Sequence, residues 1–172
     1  PPVTKGTVEI RPLRDLDGLP SARPHSVEPG TTPYLLQLFH EKSRPEVTDP
    51  AEQQAAAAKA VALARELDEA GAYVSAAPLH PAETATSVRI RDGKRLVTDG
   101  PFAETNEVLG GYYLIRAESR DAALRVAERL PGVGCCSTVE LRPLFDLSGV
   151  REIVAANPRP AVDSAAVRST IA

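Results

Sequence analysis

The chain has 172 residues, of which 42% are hydrophobic and 25% charged, and its formal net charge is −3. This length suits one domain with appendages, or one domain plus a fragment of another. A mildly acidic chain without a dense block of Lys and Arg argues against binding to nucleic acid or to an anionic membrane surface.

No apolar run approaches the ~20 residues that span a bilayer. The first residues lack the apolar segment of a secretory signal. Two adjacent cysteines, Cys135 and Cys136, do not make a disulfide framework, and we interpret them as small apolar residues at the end of a loop. We therefore expect a cytoplasmic protein.

The first predicted elements are an extended segment over residues 7–13 and a linker over residues 20–30, which holds three prolines. Residues 33–40 then form a short apolar run that is typical of a buried strand.

A clear helix start follows this strand. Asp49 can cap the helix, Pro50 fits its first position, and Glu52 can complete a capping box. The Ala-rich segment continues through Ala70 and stops at Gly71, a residue type common just beyond a helix.

The second half of the chain contains more strands and one further helix. Asp92-Gly93 predicts a tight hairpin, and Ser119 can cap a helix that Pro131-Gly132 ends. Gly110-Gly111 predicts a bend or bulge at the entry to a strand. The predicted strands are 72–77, 86–90, 94–98, 111–116 and 139–144, and the helix is 120–130.

This order of elements is a split β-α-β pattern, so we predict an α+β fold of the ferredoxin-like kind. Both helices should cover one face of the sheet, which leaves the other face in need of a partner. Residues 150–156 could add one or two helical turns before a polar tail.

The tetrapeptide Asp99-Gly100-Pro101-Phe102, set inside residues 88–113, resembles the signature stretch of the DGPF branch of the YCII-related family. The resemblance covers residues 32–146. It implies a ferredoxin-like module whose sheet faces that of a second copy, in a homodimeric α/β barrel. We accordingly divide the chain into an N-terminal strand and linker (1–30), a DGPF/YCII-like domain (31–147) and a C-terminal extension (148–172).

The wider family includes members thought to use a His–Asp pair in lyase-like chemistry, with the histidine in the first helix. This chain has no histidine between Asp49 and Gly71, so that assignment does not carry over.

Residues 7–19 closely match residues 138–150, with nine of thirteen positions identical. We interpret the first copy as the last strand of a preceding module, either in a tandem protein or in a gene whose first half was lost. The alternative is an independent strand of similar composition. Because a lone strand exposes its edge, it should pair with its own domain or with a dimer mate, and we predict exchange between subunits.

Three residues are candidates for catalysis. Asp99 is either part of an Asx-type turn or a carboxylate at the mouth of the cavity between two sheets. His40, at a strand end, and His80, in a loop, are either solvated side chains or proton carriers that line the same mouth. Their spacing, with that of Glu104, does not indicate a metal site.

Six further residues are candidates for binding substrate. Alternation along the last strand places Glu140 and Arg142 on the face away from the helices, where they form either an intersubunit salt bridge or a site for an anionic or hydroxylated molecule. The other four, which would provide walls and polar groups, are Phe102, Glu104, Tyr112 and Tyr113.

Two functional hypotheses follow. One is a small enzyme without a cofactor, of the lyase, isomerase or dehydratase type, that acts on a cyclic or aromatic metabolite between facing sheets. The other is a non-catalytic module that binds a small ligand or a protein and serves regulation or assembly. The fold alone does not choose between them.

Overall fold

The described residues form two antiparallel sheets, two α-helices and a short 3₁₀ turn at Ala82–Thr84. The computed structural model describes residues 6–24, 28–43, 49–101, 105–133 and 136–144. In chain order the elements are β1 (Thr7–Ile10), β2 (Thr32–Glu41), α1 (Pro50–Glu69), β3 (Tyr73–Pro78), β4 (Thr86–Arg91), β5 (Lys94–Asp99), β6 (Glu107–Ala117), α2 (Arg120–Ala127) and β7 (Ser137–Pro143).

The main sheet has the strand order β3-β6-β2-β7, and every neighbouring pair is antiparallel. Its long central strands, β2 and β6, are separated in sequence by α1, β3 and the hairpin of β4 and β5. The α+β class is confirmed, and this arrangement is compatible with the ferredoxin-like plan. The dimeric barrel stays a prediction.

The first helix begins and ends where its residues predict. The Asp49 carboxylate accepts a hydrogen bond from the Ala51 amide at 2.9 Å, and Pro50 occupies the first turn, where its missing N–H costs nothing. At the other end Gly71 has φ of +72°, a conformation that glycine adopts without strain.

The second helix is shorter than predicted. Ser119 caps it by accepting a hydrogen bond from the Ala122 amide, but the helix ends at Ala127 rather than at Leu130. The Leu130 amide bonds to the Ala127 carbonyl, three residues back, so the chain tightens into turns before Pro131. Leu130 is nevertheless buried in the core.

The core lies between the helices and one face of the main sheet. Leu63 and Leu67 of α1 and Ala123 of α2 pack on Leu36 and Ile115 of the two central strands. Val139 and Leu141 of β7 pack against the same cluster, which confirms the predicted alternation along the last strand.

The opposite face of the main sheet carries no helix within the described part of the chain. It presents half-buried apolar side chains such as Leu35 and Leu114 beside the ion pair of Glu140 with Arg142. At one end of this face the buried guanidinium of Arg116 donates to the Pro24 carbonyl at 3.0 Å. This face therefore combines apolar area with paired charges.

The second sheet has the order β1-β4-β5. Its hairpin turn, Asp92-Gly93, has positive φ at both residues (51° and 73°), which is the type I′ geometry expected of this dipeptide. Strand β1 pairs with β4 of its own chain, from Thr7 opposite Arg89 to Ile10 opposite Thr86. The predicted exchange of this strand between subunits is therefore wrong in this structure, since β1 has a partner in its own chain.

Residues 11–24, here called the strap, continue from β1 along the outer edge of β3. The Arg14 amide donates to the Pro78 carbonyl at 2.9 Å, and the Arg23 amide donates to the Val74 carbonyl at 2.8 Å. A strand edge that would otherwise expose backbone groups is covered in this way.

Several predictions fall outside the described residues: those for Phe102, Glu104, Cys135 and the C-terminal extension. Neither helix that the structure describes is long and apolar enough to cross a membrane.

Candidate functional site

A cavity of about 410 Å³ lies between the strap and the end of the main sheet where β2, β3 and β6 meet. Leu38 and His40 of β2 line it, and alternation places both on the helix-covered face that Leu36 shares. Ala60 of α1 closes one side. The cavity thus lies on the helix side of the sheet, not on the open face where facing sheets would enclose a site.

Arg11 fixes the start of the strap beside this cavity. Its guanidinium is 7% exposed and donates to the Leu109 carbonyl at 2.5 Å and to the Glu9 carboxylate at 2.6 Å. The bond to Leu109 holds the start of the strap against β6, and the bond to Glu9 supplies the opposite charge that a buried guanidinium needs. The charge of Arg11 is also balanced by that of Glu9, so Arg11 adds little net charge to the cavity.

Backbone pairing between the strap and the loop after β3 positions His80. Leu13 and Leu79 form an isolated antiparallel bridge, and the His80 amide donates to the Pro12 carbonyl at 3.1 Å. Leu79 in turn donates its amide to the Gly110 carbonyl at 2.8 Å. These bonds hold the His80 backbone at the cavity wall.

A bulge in β6 makes room for His40. The register between β2 and β6 shifts at Leu38 and Phe39, so that Gly110 is the additional residue. A methyl group at Gly110 would lie 2.7 Å from Nδ1 of His40, closer than the two atoms can approach. Glycine is thus required here because the imidazole packs directly on the backbone, and the predicted bulge at Gly110-Gly111 is confirmed.

Tyr113 forms the inner wall. Its hydroxyl donates to the Ala60 carbonyl at 3.1 Å, and burial of the ring, with a smaller effect from nearby Tyr73, raises the pKa of Tyr113 to about 12. Burial likewise raises the pKa of Tyr73, whose hydroxyl donates to the Pro20 carbonyl of the strap. Both phenols therefore stay neutral and act as hydrogen-bond donors.

Among the described residues, cationic side chains outnumber carboxylates around the cavity. Arg14 and Lys42 line it from exposed positions, and Glu83 is the carboxylate that these residues place on its wall. With Arg11 neutralised by Glu9, the excess positive charge comes from Arg14 and Lys42. This balance favours an anionic ligand.

Four of the predicted site residues meet at this cavity: His40, His80, Tyr112 and Tyr113. Three others do not line it. Asp99 is exposed at the end of β5, and Glu140 and Arg142 pair with each other on the open face of the main sheet. Phe102 and Glu104 lie outside the described residues.

The cationic residues of the cavity were not predicted. Arg11 lies in the Arg-Pro-Leu of the repeated segment, and that repetition is the signal that could have identified it. No motif marks Arg14 and Lys42. Only the backbone path of the strap and the position of the end of β2 bring them to the cavity, so the sequence alone could not identify them.

No group of three or more His, Cys, Asp or Glu side chains able to hold a metal ion occurs among the residues that the structure describes. Cys136 has intermediate exposure, and its thiol contacts the Gly132 carbonyl at 3.7 Å.

Two comparisons with known proteins identify what this chain is similar to. The model of the YCII-related domain family matches residues 35–148. The chain is also 34% identical over 112 residues to the uncharacterized protein R00369 of Rhizobium meliloti (strain 1021), an alignment that covers 64% of this chain and 90% of the relative. The match spans the main sheet and both helices, and more than half of the chain. This protein therefore belongs to the YCII-related domain family.

Proposed function

We propose that this protein is a small enzyme that needs no cofactor and that binds an anionic cyclic or aromatic metabolite in the cavity beneath the strap. The observation that carries the proposal is the convergence of two histidines and the cationic side chains of Arg14 and Lys42 on one cavity of about 410 Å³. The reaction type is that of a lyase, an isomerase or a dehydratase.

The size and the lining of the cavity suit such a ligand. Cavities that take small molecules typically measure ~300–1,000 Å³ and combine apolar walls with a few polar groups. Here Leu38 supplies apolar surface, Tyr113 supplies a ring, and Arg14 or Lys42 can hold a carboxylate.

Reactions of this type remove a proton from carbon and deliver one to a leaving group or to a second carbon. An imidazole can do either near neutral pH, and two imidazoles can divide the tasks. His40 and His80 line the cavity from different elements, one on β2 and one on the loop after β3. We assign them the roles of proton acceptor and proton donor, and to Arg14 the role of anchoring the substrate.

A second function, a non-catalytic module for binding small ligands, is favoured by the position of Asp99. A carboxylate that pairs with a histidine would orient it for proton transfer. Asp99 lies at the end of β5 and does not line the cavity, so it does not orient either histidine in this structure.

Phenylpyruvate separates the two functions because it carries an aromatic ring, a carboxylate and exchangeable protons next to a carbonyl. We expect it to shift the NMR signals of the His40 and His80 rings, and we expect the protein to accelerate its proton–deuterium exchange in D₂O. His40→Gln or His80→Gln should reduce that acceleration by about 10²-fold.

Arg14→Gln should weaken binding about ten-fold, while Arg142→Gln, on the open face, should leave it unchanged. Binding without accelerated exchange would assign the non-catalytic function. If neither phenylpyruvate nor benzoate shifted the His40 and His80 signals, and phenylpyruvate exchange were not accelerated, a ligand site in this cavity would be refuted.

A further inference from the structure

Strand β5 is the outer strand of the small sheet, next to β4, and all six of its residues are exposed. Its outer side therefore presents backbone N–H and C=O groups with no strand beside them in the part of the chain that the structure describes. Such an edge is a template for pairing with another strand.

The hairpin geometry determines which residues of β5 point their backbone groups outward. In a two-residue hairpin the residues that flank the turn, here Arg91 and Lys94, exchange hydrogen bonds, and the pattern alternates from there. The bond from the Gly100 amide to the Ala85 carbonyl, at 2.7 Å, continues the same alternation. Arg95, Val97 and Asp99 thus direct their N–H and C=O groups away from β4.

A second copy of β5 can pair with this edge about a twofold axis only if outward-directed residues stand opposite each other. Five registers bring residues of this set opposite each other. Two of them place Arg95 opposite Arg95 or Asp99 opposite Asp99, where like charges repel, and three remain. In one of them Val97 faces Val97 and Arg95 faces Asp99 of the second copy, twice by symmetry. In the other two, Val97 faces either Arg95 or Asp99, and no opposite charges meet.

The side chains at these positions are available for such contacts. Val97 is 51% exposed. Arg95 and Asp99 are exposed, and neither forms an ion pair with any residue that the structure describes. Opposite charges directly across an antiparallel pair stabilise it, and like charges destabilise it.

We propose that the β5 edge pairs with the β5 edge of a second copy of this chain, with Val97 at the twofold axis and Arg95 opposite Asp99. The two small sheets then form one six-stranded antiparallel sheet. Asp99, the first residue of the Asp-Gly-Pro-Phe stretch, serves as an ion-pair partner between copies. The contact is separate from the cavity and does not rest on the proposed enzymatic function.

Charge exchange in the full-length chain tests the register. Arg95→Asp places like charges in opposition at two points, and so does Asp99→Arg. We expect each to weaken self-association on the order of ten-fold in sedimentation experiments. The double variant, Arg95→Asp with Asp99→Arg, restores opposite charges and should associate like the unchanged chain. Unaltered association of the single variants, or failure of the double variant to recover, would overturn the proposal.

Disulfide trapping gives a second measurement. In a chain whose Cys135 and Cys136 are replaced by Ser, Val97→Cys should form a covalent dimer under mild oxidation, because directly paired Cα atoms lie about 5.5 Å apart. Leu96→Cys, one residue away, faces Thr98 of the second copy and should cross-link much less. Equal trapping of both variants, or none of Val97→Cys, would contradict the register. Circular dichroism of each variant checks that it is folded.

Discussion

The buried Tyr113 phenol makes the stability of the protein depend on pH. Its ring is 6% exposed, and burial raises its pKa from 10.0 to about 12. In the unfolded chain the phenol ionises near its ordinary pKa of 10.0. Between that pH and about 12 the unfolded state is therefore ionised while the native state is still neutral. The stability that this difference represents is fully present below pH 10 and is lost as the pH rises towards 12.

We therefore expect the free energy of unfolding to fall by on the order of 2 kcal/mol across that interval. Urea unfolding at successive pH values measures it, with the tyrosinate absorbance followed in parallel. Tyr113→Phe should flatten the dependence and should cost about 1 kcal/mol at neutral pH, since the hydrogen bond to Ala60 is lost. An unchanged slope in that variant would show that other groups cause the loss.

Gly110 is the second residue whose surroundings make a sharp prediction. A Cβ atom there would stand 2.7 Å from Nδ1 and 2.9 Å from Cε1 of His40. Gly110→Ala should therefore displace the imidazole and destabilise the protein by about 1–3 kcal/mol. The NMR signal of the His40 ring and a urea titration report the two effects.

Gly6→Ala is the matched control, because a Cβ atom at Gly6 meets nothing within 4 Å. It should leave both the His40 signal and the stability unchanged. If Gly110→Ala also left the His40 signal in place, the close packing of imidazole on backbone would be disproved.

The sequence predicted correctly those residues whose contacts lie within a few positions along the chain. Asp49 and Ser119 cap their helices as predicted, because a cap bonds to amides two or three residues ahead. It did not find the contact between His40 and Gly110. These residues lie 70 positions apart, and only the register of β2 with β6 brings them together.

Among the elements, one buried side chain, that of Arg11, links β1 and the strap to β6. Arg11 bonds both to Glu9 on its own strand and to the Leu109 carbonyl of β6. Arg11→Ala removes these bonds and leaves the Glu9 carboxylate without them. We expect a loss of about 2–3 kcal/mol in stability and faster tryptic cleavage after Arg14 and Arg23.

The repeat supplies the control. Arg142 occupies the position equivalent to Arg11 and bonds to Glu140 as Arg11 bonds to Glu9, but its side chain is 64% exposed. An exposed ion pair contributes little, so Arg142→Ala should change the stability by less than about 0.5 kcal/mol. Equal effects at the two positions would mean that burial does not distinguish them.

The lengths of the elements show where local pattern is insufficient. Strand β6 begins at Glu107, four residues before its predicted start, since the bulge lets pairing with β2 continue past the glycine pair. Helix α2 ends three residues early, because its last turn tightens before Pro131. The partner of β1 was not evident either, since β4 offers an edge only once the hairpin has formed.

In the whole molecule, one repeated sequence occupies two different environments. Residues 138–143 form most of β7 at the edge of the main sheet, whereas residues 7–10 pair with the hairpin and residues 11 and 12 begin the strap. Both copies keep the Glu-x-Arg ion pair, which requires only alternation along a strand. The extended conformation of both copies therefore follows from their shared sequence. The strand with which each copy pairs depends instead on which sheet edge lies within its reach.

Removal of the strap tests its role in the complete molecule. Deletion of residues 1–24 exposes the outer edge of β3 and removes one wall of the cavity, so phenylpyruvate binding should be lost. The His80 amide, which bonds to the Pro12 carbonyl, should exchange with D₂O much faster, and the edge should promote association between copies. Deletion of residues 1–5 alone keeps the strap and should change none of these properties. Retained binding with the strap removed would show that the site is complete without it. Residues of β2 and β6 would then hold the ligand, and the role proposed for Arg14, which the deletion removes, would be wrong.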